Sequence, residues 1–435
     1  MSDTPSAAVD GRHDELFAEL ATLADAAGTA AMFETLAAAL TARRRWHALF
    51  DLRLVEARIN LGLPPTGDVG DLTPTVRDQL DERSLAACRE IGWPLLDEGQ
   101  VAAAWMYLRA AAAPEEVSRK LAALAEGIAL PSGADTGDDE QADTRLHEIV
   151  HVALWEGVDP ALGIDLVLRT QGTCNAITAY EQGVSRLPAR RQEPAAGVLV
   201  HHLHGEVARS LAADLSARGI ALPEMAAAPS IPALLAAAGG LAADPSIHVD
   251  VSHLQSVLRI ARVCTNPDAV RAAWELACYA SRLPEDVVYP GEPPFENVGE
   301  ASRLFYAAQI GRDVNASLGY FRRAAARARV EESGTLPADT LVLLLARLGR
   351  PQEALFAALE RPAEGHMPSA MQASGMLPSL VDLAAAADDW GPLRDACRSR
   401  GDEITYAATL AAEHHQSRYQ GLRQSVQMPP PPPPS

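Results

Sequence analysis

Lysine is nearly absent from this chain: Lys120 is the only one, so almost all of its 37 basic residues are arginine. Positive charge is scarce overall. The 57 acidic residues outweigh it and leave a formal net charge of −20. That balance excludes nucleic acid and an anionic membrane surface as preferred partners, since their phosphates would be repelled. Aromatic residues make up only 5% of the chain, while 48% is hydrophobic and much of that is alanine and leucine. These are the strongest helix formers, so the composition predicts closely packed helices. Alternating Val/Ile/Thr runs bounded by turns are missing, as are Gly-x-Gly-x-x-Gly and phosphate-loop motifs. The cysteines, Cys88, Cys174, Cys264, Cys278 and Cys397, are odd in number, far apart and never in a Cys-x-x-Cys pair. Their pattern excludes a disulfide framework and a structural zinc knuckle, and it predicts free thiols in a reducing cytoplasm. No basic-then-apolar leader opens the sequence, and no uncharged apolar run reaches the roughly 20 residues a membrane span needs. The expectation is a cytoplasmic protein with no membrane segment.

Helical periodicity runs through the rest. Residues 1–130 read as successive amphipathic helices. Between Arg45 and Asn60, for example, Trp46, Leu49, Phe50, Leu52 and Leu54 recur near helical spacing. Residues 131–143 are rich in Gly, Asp and Ser and read as an acidic flexible linker. A helical middle region spans 144–330, interrupted by the proline-rich stretch Pro284 to Pro294. A third helical block spans 331–425, and 426–435 forms a polyproline tail without fixed structure.

Three places repeat one local pattern. Gly99 is followed five positions on by Ala104, Gly311 by Ala316, and Gly349 by Ala354, each between two helical stretches. This resembles the tetratricopeptide repeat, in which a small residue closes one helix and an alanine lets the next pack closely. The resemblance covers about a third of the chain. It implies an all-α helical-repeat solenoid or array that can bind protein partners along its surface.

The sharpest chemical feature is His147-Glu148-Ile149-Val150-His151. Thr144 or Asp143 can cap this helix and Gly157 can end it, giving about three turns. On a helix His147 and His151 share a face, so both imidazoles can reach one metal ion, with Glu148 beside it. The segment resembles the zincin motif: two histidine ligands, a glutamate as general base for a metal-bound water, and a third ligand from elsewhere. The resemblance implies one zinc per chain. The helix is apolar on most sides, which predicts buried histidines.

Seven of the 12 histidines lie between 147 and 253. His253 is the favoured third ligand. It sits one turn into a helix that Asp250 would cap and is followed by Leu254, Val257, Leu258 and Ile260. His202, four residues from Glu206 on one helix face, is the runner-up. Two further segments could serve a nearby site: the polar helix break Arg169 to Asn175, and the stiff loop Tyr289 to Phe295, which could cover a pocket.

The motif lacks the β-sheet on which familiar zincin peptidases bind peptides, so no substrate is implied. The sequence reading is therefore a zinc-dependent hydrolase in an all-helical scaffold. One alternative is a non-catalytic helical-repeat adaptor for protein partners. Another is a dinuclear iron or manganese protein, in which Glu148–His151 and Asp250–His253 act as carboxylate–histidine pairs with Glu206 as a further ligand.

Overall fold

The computed structural model describes residues 7–68, 70–128, 140–221, 230–239, 248–361 and 369–415. The protein is all-α, with no β-strand among the described residues. It divides into two compact units, Met1–Asp159 and Pro160–Ser435. The polyproline tail and residues 131–139 of the acidic segment lie outside the described residues.

The first unit contains α1 (Ala7–Ala26), α2 (Thr29–Ala42), α3 (Trp46–Asn60), α4 (Pro74–Asp97), α5 (Val101–Ala111), α6 (Pro114–Glu126) and α7 (Glu140–Val150). From α1 to α5, each helix packs on the next, the tightest pair being α4 with α5. Leu49, Ile91, Leu95, Ala104, Leu108 and Leu121 form its core and are almost fully buried. Residues 140–143 are the first turn of α7, so this helix starts before the caps proposed at Asp143 and Thr144. It runs on into a π-turn, His151–Trp155, closed by the Glu156 N–H on the His151 carbonyl at 3.1 Å and ended at Gly157 with φ 72°. α7 packs on α5 and α6, which groups the histidine motif with the elements before it.

The second unit begins with α8 (Pro160–Ala179), α9 (Ala189–Ala217), α10 (Ile231–Ala238), α11 (Val251–Ile260) and α12 (Pro267–Ala280). The expected break in α8 is real: Gly172 has φ 83°, ψ 176°. α9 is the central element and contacts α8, α10, α11 and α12. Then follow α13 (Val298–Gln309), α14 (Val314–Arg327), α15 (Val330–Ser333), α16 (Leu336–Arg347) and α17 (Pro351–Leu359). The last four are α18 (Ala370–Ala373), α19 (Leu380–Ala387), α20 (Gly391–Arg400) and α21 (Glu403–His414). Side-chain caps start many of them: Ser230, Asp250, Asn266, Asn297, Ser379 and Asp402 each accept a backbone N–H of the first turn. These bonds satisfy donors that a helix cannot pair internally.

The glycine–alanine pattern has a common structural basis at its first half. Gly99, Gly311 and Gly349 all have positive φ, at 77°, 79° and 66°. In each case the next residue donates its N–H to a carbonyl five residues back: Gln100 to Leu95, Arg312 to Ala307, Arg350 to Leu345. This is the Schellman ending, which favours glycine at the left-handed position. At the second half the three part company. Ala104 and Ala354 sit at the fourth position of α5 and α17, both 0% exposed. After Gly311 the turn is one residue longer, with Asp313 at φ 49°, so the equivalent position is Ser317 and Ala316 faces solvent. Ser317 is fully buried and donates its hydroxyl to the Leu304 carbonyl at 2.8 Å.

Helical glycines test the packing in opposite directions. A Cβ on Gly299 would lie 2.7 Å from the Ala280 carbonyl carbon, whereas one on Gly197 meets nothing within 4 Å. Gly197→Ala is expected to stabilise the second unit by about 1 kcal/mol through helix propensity. Gly299→Ala should destabilise it by about 1–3 kcal/mol, because backbone cannot yield as a side chain can. Chemical denaturation of both variants checks the pair, and equal signs would contradict the packing described.

Candidate functional site

The π-turn after α7 and the helix itself bury Leu146, Ile149, Val152, Ala153 and Leu154. That apolar stripe leaves residues 147, 151 and 155 on the opposite side. His147 and His151 are therefore exposed, not buried as the sequence predicts, and Trp155 is 47% exposed. Apolar residues on most sides of a short segment do not make it a core helix when only one side meets neighbours.

Each motif residue has a local partner. His147 Nδ1 lies 3.0 Å from the Asp143 carbonyl one turn back. His151 Nε2 lies 3.7 Å from Glu156 Oε1, at an exposed position. Glu148 reaches across to α5, where its Oε2 accepts the Ala102 backbone N–H at 2.9 Å. Ala102 is the second residue of α5, and the N-cap Gln100 makes no side-chain cap. Glu148 thus supplies the missing cap from another helix, with its negative charge at the positive end of the α5 dipole.

Arg145, one turn before Glu148, lies over Gly99. A Cβ there would come within 2.5 Å of Arg145 Nε, so any other residue would displace this side chain, while the φ of the turn itself favours glycine. The same turn gathers other groups of the first unit. Glu98 Oε2 accepts from Trp46 Nε1 at 3.1 Å and from Gln100 Nε2 at 3.0 Å, and Asp97 Oδ1 pairs with Lys120 at 2.7 Å.

The remaining sequence-predicted ligands belong to the second unit. His202, on α9, has Nε2 3.2 Å from the Thr173 hydroxyl and 3.9 Å from Glu206 Oε2. His253 stands in the first turn of α11, where its backbone N–H bonds the Asp250 cap at 3.3 Å. Asp250 also accepts the Ser252 N–H and hydroxyl, and the Ser252 hydroxyl is the main reason its carboxyl is held below the usual range. Among the described residues no group of three His, Cys, Asp or Glu side chains is placed to hold a metal ion.

Two other histidines make the more built arrangements. His204 Nε2 lies 2.8 Å from Glu275 Oε2, and that oxygen also accepts the Ile231 N–H at 2.9 Å. Glu275 is only 8% exposed, so α9, α10 and α12 meet at one sheltered carboxylate. His248 sits between the Tyr279 hydroxyl, 3.1 Å from Nδ1, and Asp214 Oδ2, 3.3 Å from Nε2. Arg218 first, and then His248, hold the Asp214 carboxyl below its usual range. The trace of the first network in the sequence is Glu275 itself, an acid inside the apolar run Ala272 to Ala280.

No family model, curated protein or solved structure matches this chain. No described helix is long and apolar enough to cross a membrane.

The cap made by Glu148 sets an expectation. Glu148→Ala should destabilise the first unit by about 1 kcal/mol, the typical value of a lost cap, while Glu148→Gln keeps an acceptor and most of that stability. Denaturant unfolding followed at a first-unit tryptophan measures both. Unchanged stability in the alanine variant would remove the capping role.

Proposed function

We propose that this chain is a non-catalytic helical-repeat protein that binds a protein partner along its helix arrays. The observation that carries this reading is the position of Glu148. The carboxylate a hydrolase would need as base is engaged on the Ala102 N–H, and Arg145 beside it lies on Gly99. Both side chains work as a latch between α7 and the α4–α5 turn.

Two features support the array reading. Helices pack in chain order, α1 to α5 and again α12 to α14, as stacked repeats do. The Schellman turns with a buried alanine at Ala104 and Ala354 recur in both units. The tetratricopeptide-like solenoid is part of this proposal.

The zinc-hydrolase reading rests on the spacing of His147 and His151, with His253 or His202 as third ligand. The dinuclear reading would take Asp250 as a ligand, yet Asp250 already accepts two backbone N–H groups as the α11 cap.

Elemental analysis of the full chain, purified without added metal, separates these readings. The expected result is no stoichiometric zinc, iron or manganese, and a melting temperature that a chelator leaves unchanged. The tagged chain, isolated from its own cells, should elute in a complex with a protein partner at near-equal amounts. About one zinc per chain, lost together with stability on chelation, would overturn this reading in favour of the hydrolase.

A further inference from the structure

In the second unit, the loop between α12 and α13 folds over α11 and borders an open-mouthed cavity of about 320 Å³. The loop is tied down by Gln255 Nε2, which donates to the Tyr289 carbonyl at 2.6 Å. It turns tightly at Gly291, whose N–H bonds the Glu296 carbonyl at 2.9 Å. A Cβ on Gly291 would meet the Phe295 carbonyl oxygen at 2.4 Å, so only glycine fits that turn. The stiff loop noted in the sequence thus forms one wall of a cavity.

The opposite wall carries Arg259 and Arg262, from the end of α11 and the 3₁₀ turn Ala261–Val263 that follows it. Two cations sharing a small cavity are unexpected in a chain of net charge −20. Arg262 is half-buried, and among the described residues its side chain makes no ion pair and no hydrogen bond. Burial pulls its pKa below the usual guanidinium value, with Arg259 adding to the effect. The field of Glu292 acts in the opposite sense, but among the described residues that carboxylate forms no ion pair with Arg262. An arginine keeps its charge under such conditions, so a guanidinium without a direct partner remains. Arg259 is loosely held, with Ser256 Oγ at 3.0 Å and Glu181 at 3.9 Å.

The backbone beneath Arg262 is fixed from behind. Arg347 Nη2 donates to the Arg262 carbonyl, and Arg347 Nη1 to the Cys264 carbonyl at 3.1 Å. The backbone that carries Arg262 is thus held in place, which favours recognition of a charged ligand group. Ser252 and Ser256 add hydroxyls, and Phe295, Val298, Ala301 and Leu336 supply apolar walls. The exposed ring of Tyr289 stands at the rim.

We propose that this cavity binds a small organic anion, with a phosphate or carboxylate head on Arg259 and Arg262 and an apolar body against Phe295 and Leu336. Its size lies at the lower end for small-molecule sites, about 300–1,000 Å³. The forked guanidinium groups match the planar oxygens of such heads and bind them through paired, charge-assisted hydrogen bonds. Glu292, which also lines the cavity, is exposed and forms no ion pair among the described residues. This proposal stands apart from the helical-repeat reading and does not depend on it.

Titration calorimetry of the full chain at low salt tests it, with phenyl phosphate and benzoate as probes and benzyl alcohol as the neutral control. Saturable binding of at least one anion, near one per chain, is expected, with none for the alcohol. Arg262→Met should weaken binding by about tenfold or more, the loss typical of a charged hydrogen-bonding partner. Arg259→Gln should weaken it as well. Its side chain is 60% exposed, so this variant decides the matter if Arg262→Met fails to fold. The proposal is overturned if neither anion binds, or if Arg259→Gln, with Arg262→Met where it folds, leaves the affinity unchanged. Binding seen only in Glu292→Gln would also overturn it, because the Glu292 carboxylate would then be the natural occupant.

Discussion

The second unit depends on one guanidinium. Arg347, at the end of α16, is drawn into the packing with no carboxylate within ion-pair distance among the described residues, and burial lowers its pKa. Its hydrogen bonds go to the carbonyls of Arg262 and Cys264 and to Gln309 Oε1 at 3.1 Å, and its guanidinium lies over the Phe305 ring. Those two carbonyls belong to the point where α11 ends, and a helix end leaves its last carbonyls without partners. The fully buried Tyr306 takes another, donating to the Leu258 carbonyl at 2.6 Å. From the other side Glu193 accepts the N–H groups of Thr265 and Asn266 at 2.6 and 2.8 Å. The connection from α11 to α12 is thus held by cationic donors on its carbonyl side and a carboxylate on its amide side. Cys264, in the middle, is shut away, and its thiol is pushed up to about 12 by burial. A thiol so placed is inert as a nucleophile.

The first unit solves the same problem with opposite signs. Its hub is the α4–α5 turn, where orphan amides rather than carbonyls are the need, and carboxylates meet it. Glu148 caps α5, and Glu98 gathers Trp46 and Gln100. A glutamate between two histidines on a helix has two physical uses. It can hold a metal-bound water, or it can reach a neighbouring helix end. Which use prevails depends on what lies opposite, and opposite Glu148 lies the uncapped start of α5.

Much of the helix content was legible in the sequence because propensity and caps are local. The α3 limits, the Asp250 cap, the Gly172 break and the loop after Tyr289 all follow from residues a few positions apart. What escaped was whatever depended on distant partners. The exposure of His147 and His151 reflects which side of α7 faces α5 and α6, and periodicity alone does not name the neighbour. The Gly311–Ala316 pair failed by one residue, since Asp313 takes a left-handed conformation that asparagine and aspartate tolerate. Arg347 and Arg262 gave no local sign, because an arginine near a helix end usually lies in water.

The scarcity of lysine has a counterpart in the structure. Lys120, on α6, points at Asp97, the last residue of α4, with both side chains about half exposed. Every reagent that attacks a side-chain amine meets this chain at that one place. Acylation there would remove the cation from the contact between two helices of the first unit and leave the second unit untouched. The same residue is a built-in address: a single amine-linked dye would report on the first unit alone, while the guanidinium groups that hold the second unit together stay chemically silent.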